Sequence, residues 1–126
     1  MRKVITTDKA PKPVGPYSQA VIDGDTIYVA GQGPGDPQTG KLDLGDIRSQ
    51  TRRTLENLKA ILEAAGSSTD LVLRCNVYLR DINDFAAMNE VYGTYFGPPA
   101  PARTTIQAGA LPGGIAVEID CIARRG

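Results

Sequence analysis

Arg103 stands behind three prolines in the stretch PPAPARTT, residues 98–105, where an alternating segment begins. Proline fixes φ near −65° and pushes its predecessor toward extended backbone, so Pro98, Pro99 and Pro101 restrict where Arg103 can go. A guanidinium held in this way is a planar, two-pronged receptor for a carboxylate. The plainer alternative is a solvated strand-end arginine, or one in a surface ion pair. The 126 residues include no histidine. That removes imidazole-based serine and cysteine triads, histidine-ligated metals and the paired-histidine route to RNA cleavage. An acid or base in this chain is therefore a carboxylate, tyrosine, lysine, cysteine or positioned water. Cys75 and Cys121 lie far apart with no CxxC spacing, so neither a disulfide framework nor a zinc site is expected. Both read as small buried hydrophobes.

One motif misleads. GDPQTGKL, residues 35–42, fits the G-x-x-x-x-G-K part of a phosphate loop. Pro37 has no N–H to offer, Leu42 stands where the metal-binding hydroxyl belongs, and LDLGD delays any helix. The segment reads as a tight surface loop.

The elements that must position Arg103 and its partners are legible from periodicity. AVIDGDTIYVA, residues 20–30, reads as two strands joined through Asp23-Gly24-Asp25. From Asp46, a plausible N-cap, the residues Ile47, Thr51, Leu55, Leu58, Ile61, Leu62 and Ala65 form one helical stripe that Gly66 ends. In LVLRCNVYLR, residues 71–80, Leu71, Leu73, Cys75, Val77 and Leu79 alternate onto one face of a strand. A second helix is expected over about 84–96, where Phe85, Met88, Val91, Tyr92, Tyr95 and Phe96 make a core stripe before Gly97-Pro98. RTTIQAGA (103–110) and IAVEIDCIA (115–123) read as a hairpin around LPGG. The order β-β-β-α-β-α-β-β predicts a single α+β domain over residues 1–126, with two helices on one face of the sheet.

If Leu111 to Gly114 closes that hairpin, Gln107 opposes Glu118 and Thr105 opposes Asp120. Thr104, Ile106 and Ala108 then share the core face with Val117, Ile119 and Cys121, and Arg103, Thr105, Gln107, Glu118 and Asp120 share the other. That polar face is either simply wet or lines a cleft. In this register Arg103 and Glu118 are roughly 14 Å apart along the ladder at about 3.4 Å per residue, too far to touch one small molecule. A bulge or a second subunit has to close the gap.

Lys plus Arg equals Asp plus Glu, 14 each, so there is no global basic field to draw in nucleic acid or an anionic membrane. The Arg52-Arg53 pair leaves local RNA contact open. The start, MRKVITTDKAPKPVGPY, has no apolar core of signal-peptide length, and a soluble, cytoplasmic protein is expected.

Taken together, GPYSQA (15–20), YVAGQGPGDPQTG (28–40), the helix ending in ILEAAG, DINDFAAMNEVYGTYF (81–96), PART (101–104) and ALPGGIAVEIDCIA (110–123) resemble the reactive intermediate deaminase family, RidA or YjgF. The resemblance implies a chorismate-mutase-like subunit with a mixed, mainly antiparallel sheet. It further implies a homotrimer whose sheets form a central barrel, with a cleft at each subunit boundary. The activity it implies is hydrolysis of 2-enamino and 2-imino acids, such as 2-aminoacrylate or 2-iminobutyrate, to 2-keto acids and ammonia, without metal or organic cofactor.

Carried over, Arg103 matches the arginine that grips the substrate carboxylate and Glu118 the acid that handles water and the departing nitrogen. Tyr17 matches the tyrosine that walls the ligand, Gly31 and Thr105 lie where backbone groups contact it, and Asn89 is a further contact. Each has a plainer rival: Tyr17 packing on the N-terminal loop, Glu118 as a surface-paired acid, Gly31 required by a bend. Thr105 stands where some members have Cys, Ala30 where many have Ser, Gly33 replaces an aliphatic residue and Asp120 replaces Glu, which bears on substrate preference. The alternatives are a non-catalytic carboxylate-binding or regulatory module and an endoribonuclease or translation inhibitor.

Overall fold

Gly24, at φ +61°, turns the chain between β2 (Ala20–Asp23) and β3 (Thr26–Gln32), with Asp23 facing Thr26 across a two-residue loop. A left-handed residue at that point matches the twist of the paired strands. The structure, a computed structural model, describes residues 2–126. A short β1 (Lys3–Ile5) pairs with β2. Helix α1 (Ile47–Ala64) starts where the Asp46 carboxylate accepts the Ser49 N–H at 2.8 Å, and just past its end Gly66 takes φ +78°. Its stripe of Leu55, Leu58, Ile61 and Leu62 is at most 1% exposed, each such side chain contributing about 1.5–3 kcal/mol of burial. Helix α2 (Phe85–Tyr95) turns Met88, Val91 and Tyr92 inward, and Phe96 packs tilted on Tyr92 just beyond its end.

β4 (Val72–Leu79), β5 (Ala102–Gln107) and β6 (Val117–Arg124) complete a six-stranded sheet in the order β1-β2-β3-β6-β4-β5. Every pairing is antiparallel except β4 with β5, and α1 packs on β3, β6 and α2 over one face. The α+β architecture with two helices on one face is as expected. Cys75 and Cys121 are free, buried and opposite one another in the ladder.

The expected final hairpin does not exist. β6 lies in the middle of the sheet between β3 and β4, and β5 is an edge strand running parallel to β4. Burial explains the exchange. Val117, Ile119, Cys121 and Ala123 are all at most 2% exposed, whereas β5 has no fully buried residue, and a polar strand belongs at an edge. The connection wraps around the end of β4, where Ala108 N–H donates to the Leu79 carbonyl at 2.8 Å and Arg80 N–H to the Ala116 carbonyl at 3.0 Å.

The facial assignment changes with it. In the parallel register Arg103 pairs with Cys75, Thr105 with Val77 and Gln107 with Leu79, all on the helix-covered side. Thr104 and Ile106 instead share the open side with Asn76 and Tyr78, and so with Asp120 and Glu118. A smaller correction concerns β4. A bulge between Val72 and Arg74 buries Val72 and leaves Leu73 51% exposed, reversing the expected alternation at the strand's start.

Candidate functional site

Glu118 projects from β6 on the open face, with Tyr78 as its neighbour on β4 and the irregular part of β3 on its other side. Between Val29 and Gln32 the β3–β6 register shifts, and the Glu118 carboxyl fills the space above Gly31. A Cβ at residue 31 would collide with Glu118 Oε2 and stand 3.0 Å from its Cδ. Close approach of the carboxyl, without any positive φ, is what calls for glycine here. Burial raises the Glu118 pKa above the ordinary glutamate value, and the negative charge of Asp120 adds to the effect. Asp120 accepts from Asn76 Nδ2 at 2.9 Å and from the Tyr78 hydroxyl at 3.0 Å.

Glu118 lines a groove of about 390 Å³ together with Lys12, Tyr17, Gly31, Leu42 and Ile115. Tyr17 lies between the groove and the N-terminal loop. Its ring lines the groove, and its hydroxyl accepts the Val14 N–H at 3.3 Å, pinning the N-terminal loop. Buried amides brace the walls. Gln19 Nε2 donates to the carbonyls of Thr7 and Pro11 at 3.0 and 2.9 Å, and its Oε1 accepts the Thr7 N–H. Asn57 Nδ2, from α1, donates to the carbonyls of Gly33 and Gly35 at 3.1 and 2.8 Å. Gln50 Oε1 accepts the Ala116 N–H just ahead of β6. None of the three carries a sequence signal beyond being polar, although Gln19 sits in the GPYSQA motif.

Arg103 belongs to a second cluster, under α2. Its Nη1 donates to Asn89 Oδ1 at 2.8 Å, and its guanidinium carbon lies 4.7 Å from the Tyr92 ring centroid and 5.4 Å from that of Phe85. These partners are neutral, and among the described residues no carboxylate comes within ion-pair distance of it. Thr105 Oγ1, nearby on β5, is buried without a hydrogen-bond partner. Beneath Arg103, burial pushes the Cys75 thiol up to about 11 and raises that of Cys121 as well, which disfavours either thiolate.

Within one chain the expected residues thus fall into two groups. Tyr17, Gly31 and Glu118 come together on the open side, while Arg103, Asn89 and Thr105 come together on the helix side. The open side also carries half-exposed Val4, Tyr28 and Ile106. The phosphate-loop lookalike is a closed turn in which the Asp36 carboxylate accepts the N–H groups of Gln38 and Thr39. Among the described residues, no cluster of three His, Cys, Asp or Glu side chains stands ready for a metal ion, and no helix is long and apolar enough to cross a membrane.

The family described as Endoribonuclease L-PSP matches residues 7–125. The chain is 54% identical over 123 residues to a RutC family protein of Pyrococcus horikoshii, covering 98% of each chain. It is 48% identical over 126 residues to the 2-iminobutanoate/2-iminopropanoate deaminase of Mus musculus, covering 100% of this chain and 93% of the other. The crystal structure of RidA from the Antarctic bacterium Psychrobacter sp. superposes with a TM-score of 0.93 at 48% identity, over 97% of this chain and 98% of that one.

Proposed function

The chain belongs to the Endoribonuclease L-PSP family, which includes RidA and YjgF, and we propose that it hydrolyses 2-imino and 2-enamino acids to 2-keto acids and ammonia. The observation that carries this reading is Arg103. A cation steadied by an amide oxygen and two ring faces, with no acid beside it, is a receptor waiting for an anion. Among the described residues its Nε and Nη2 make no hydrogen bond, which leaves a two-pronged edge for a carboxylate. The mammalian deaminases in the family supply the substrate class.

Arg103 and Glu118 occupy opposite faces of one sheet, so the site forms between protomers of a homotrimer: Arg103, with Thr105 backbone groups, from one subunit, and Glu118, Gly31 and Tyr17 from the next. The apolar side chains on the open face suit that assembly. Asn89 acts through Arg103, whose guanidinium it holds. With the enamine tautomerised to the imine, Glu118 gives its proton to the nitrogen. Its carboxylate then takes one from the water attacking the C=N carbon, forming a carbinolamine. The same carboxyl protonates the amine, the C–N bond breaks to release ammonia, and the hydroxyl proton returns to Glu118 as the ketone forms. General acid–base catalysis of about 10²- to 10⁴-fold, together with orientation, suffices for substrates that already hydrolyse in water.

The test couples the purified protein to a dehydratase and follows keto-acid release. Arg103→Ala and Glu118→Gln each lose the acceleration; normal acceleration by Arg103→Ala overturns the assignment. Co-refolding the two inactive variants in equal amounts restores about one quarter of the sites if each site draws on two subunits of a trimer, and none if it lies within one chain. RNA incubated with the same preparation stays intact. Turnover separates this reading from that of a carboxylate-binding module, which would show ligand-induced stabilisation alone.

A further inference from the structure

Glu118 and Asp120 are two residues apart on β6 and project from the same open face, so their carboxyls are neighbours. Their surroundings differ in kind. Each oxygen of Asp120 accepts a hydrogen bond, Oδ1 from Asn76 and Oδ2 from Tyr78. Glu118 lies over Gly31 and accepts none from the described residues. Two carboxyls side by side resist carrying two charges at once, and unequal surroundings decide which of them holds the proton.

Two cations pull the other way, Lys12 in the groove and, in the assembly proposed above, Arg103 of the next protomer, and a fixed negative charge at Asp120 opposes them. Tyr78 on β4 is its ladder neighbour but directs its hydroxyl to Asp120. Gly31 and Gln32 on β3 do not titrate, and the N-terminal loop brings Lys12 and Tyr17 to the groove.

We propose that Asp120 is a positioning residue, a negative charge clamped by Asn76 and Tyr78 that strengthens the hold of Glu118 on the proton it gives to the substrate nitrogen. The proposal rests on Glu118 as the acid of the reaction above and divides the labour of the pair. Glu118 moves the proton, while Asp120 stays in its clamp and touches no substrate. The raised Glu118 pKa, to which the Asp120 charge contributes after burial, agrees with this division.

The experiment follows the ¹³C carboxyl shift of Glu118 through a pH titration, alongside the pH profile of kcat/KM. In Asp120→Asn, which keeps the side chain's shape, the Glu118 midpoint falls by roughly half to one pH unit. The basic limb of kcat/KM moves down by the same amount. Tyr78→Phe, which loosens the clamp while leaving Asp120 in place, lowers the midpoint by less and serves if Asp120→Asn does not fold. An unmoved Glu118 midpoint, with Glu118→Gln still inactive, overturns the role of Asp120 and leaves the acid intact. A lowered midpoint with an unmoved pH profile removes Glu118 as the acid, and the role of Asp120 falls with it.

Discussion

Gly31→Ala perturbs the proposed acid by a single methyl group. The added Cβ stands 3.0 Å from Glu118 Cδ and 3.2 Å from Cγ, with Oε2 in collision. Carbon atoms rest about 3.5–4.0 Å apart, so the carboxyl has to retreat by roughly half to one ångström. It is the free end of a flexible side chain, and turning it off its preferred rotamer costs about 0.5–1.5 kcal/mol. The fold therefore survives with only a small fall in Tm. The chemistry does not, because a displacement near 1 Å costs on the order of 10²-fold in rate, or about 2.7 kcal/mol of barrier. The assay measures kcat/KM for keto-acid release from an imine made in place by a dehydratase, with Tm from calorimetry on the same preparation. In a Glu118→Gln background, Gly31→Ala causes no further loss, since both changes act on the same carboxyl. Wild-type kcat/KM in Gly31→Ala refutes the reasoning, and so does a collapse of Tm, which would make Gly31 a backbone requirement alone.

Asn57→Ala leaves the part-buried Gly33 and buried Gly35 carbonyls without their donor; a loss of about 2–4 kcal/mol follows, read by calorimetry as a fall in Tm of roughly 10 °C, and a fall below about 2 °C contradicts it. Phe85→Leu removes one of the two ring faces under the Arg103 guanidinium. It raises KM about two- to five-fold through a lost cation–π contact of about 0.5–1 kcal/mol, with kcat little changed; an unchanged KM tells against the ring's role. Because the folded-state pKa of Glu118 is raised above 4.5, the folded chain binds more protons than the unfolded one just above that value, and stability falls as pH rises through the window. Glu118→Gln therefore melts higher than wild type at about pH 7, and the gain vanishes below pH 4.5; equal melting across the range refutes the burial of that carboxyl.

The residue order alone determined those features that the backbone imposes on its near neighbours. The Asp46 cap, the α1 stripe, the Gly66 stop and the Gly24 turn depend on residues at most a few positions apart, where helix and strand periods act directly. The ordered motifs from GPYSQA to VEIDCIA carried the family likewise, and with it the residues worth testing.

Tertiary structure decided which strand lies beside which, because that depends on distant segments competing for burial. VEIDCIA, apolar at every second position, took the centre of the sheet and sent ARTTIQ to the edge in the opposite register. That exchange moved Arg103 to the helix side, away from Glu118. The β3 irregularity that opens space at Gly31, the bulge that exposes Leu73, and the amides of Gln19, Gln50 and Asn57 that brace the groove belong to the same class. Each is fixed by a partner at least a dozen residues away along the chain, and spacing within a segment holds no record of it.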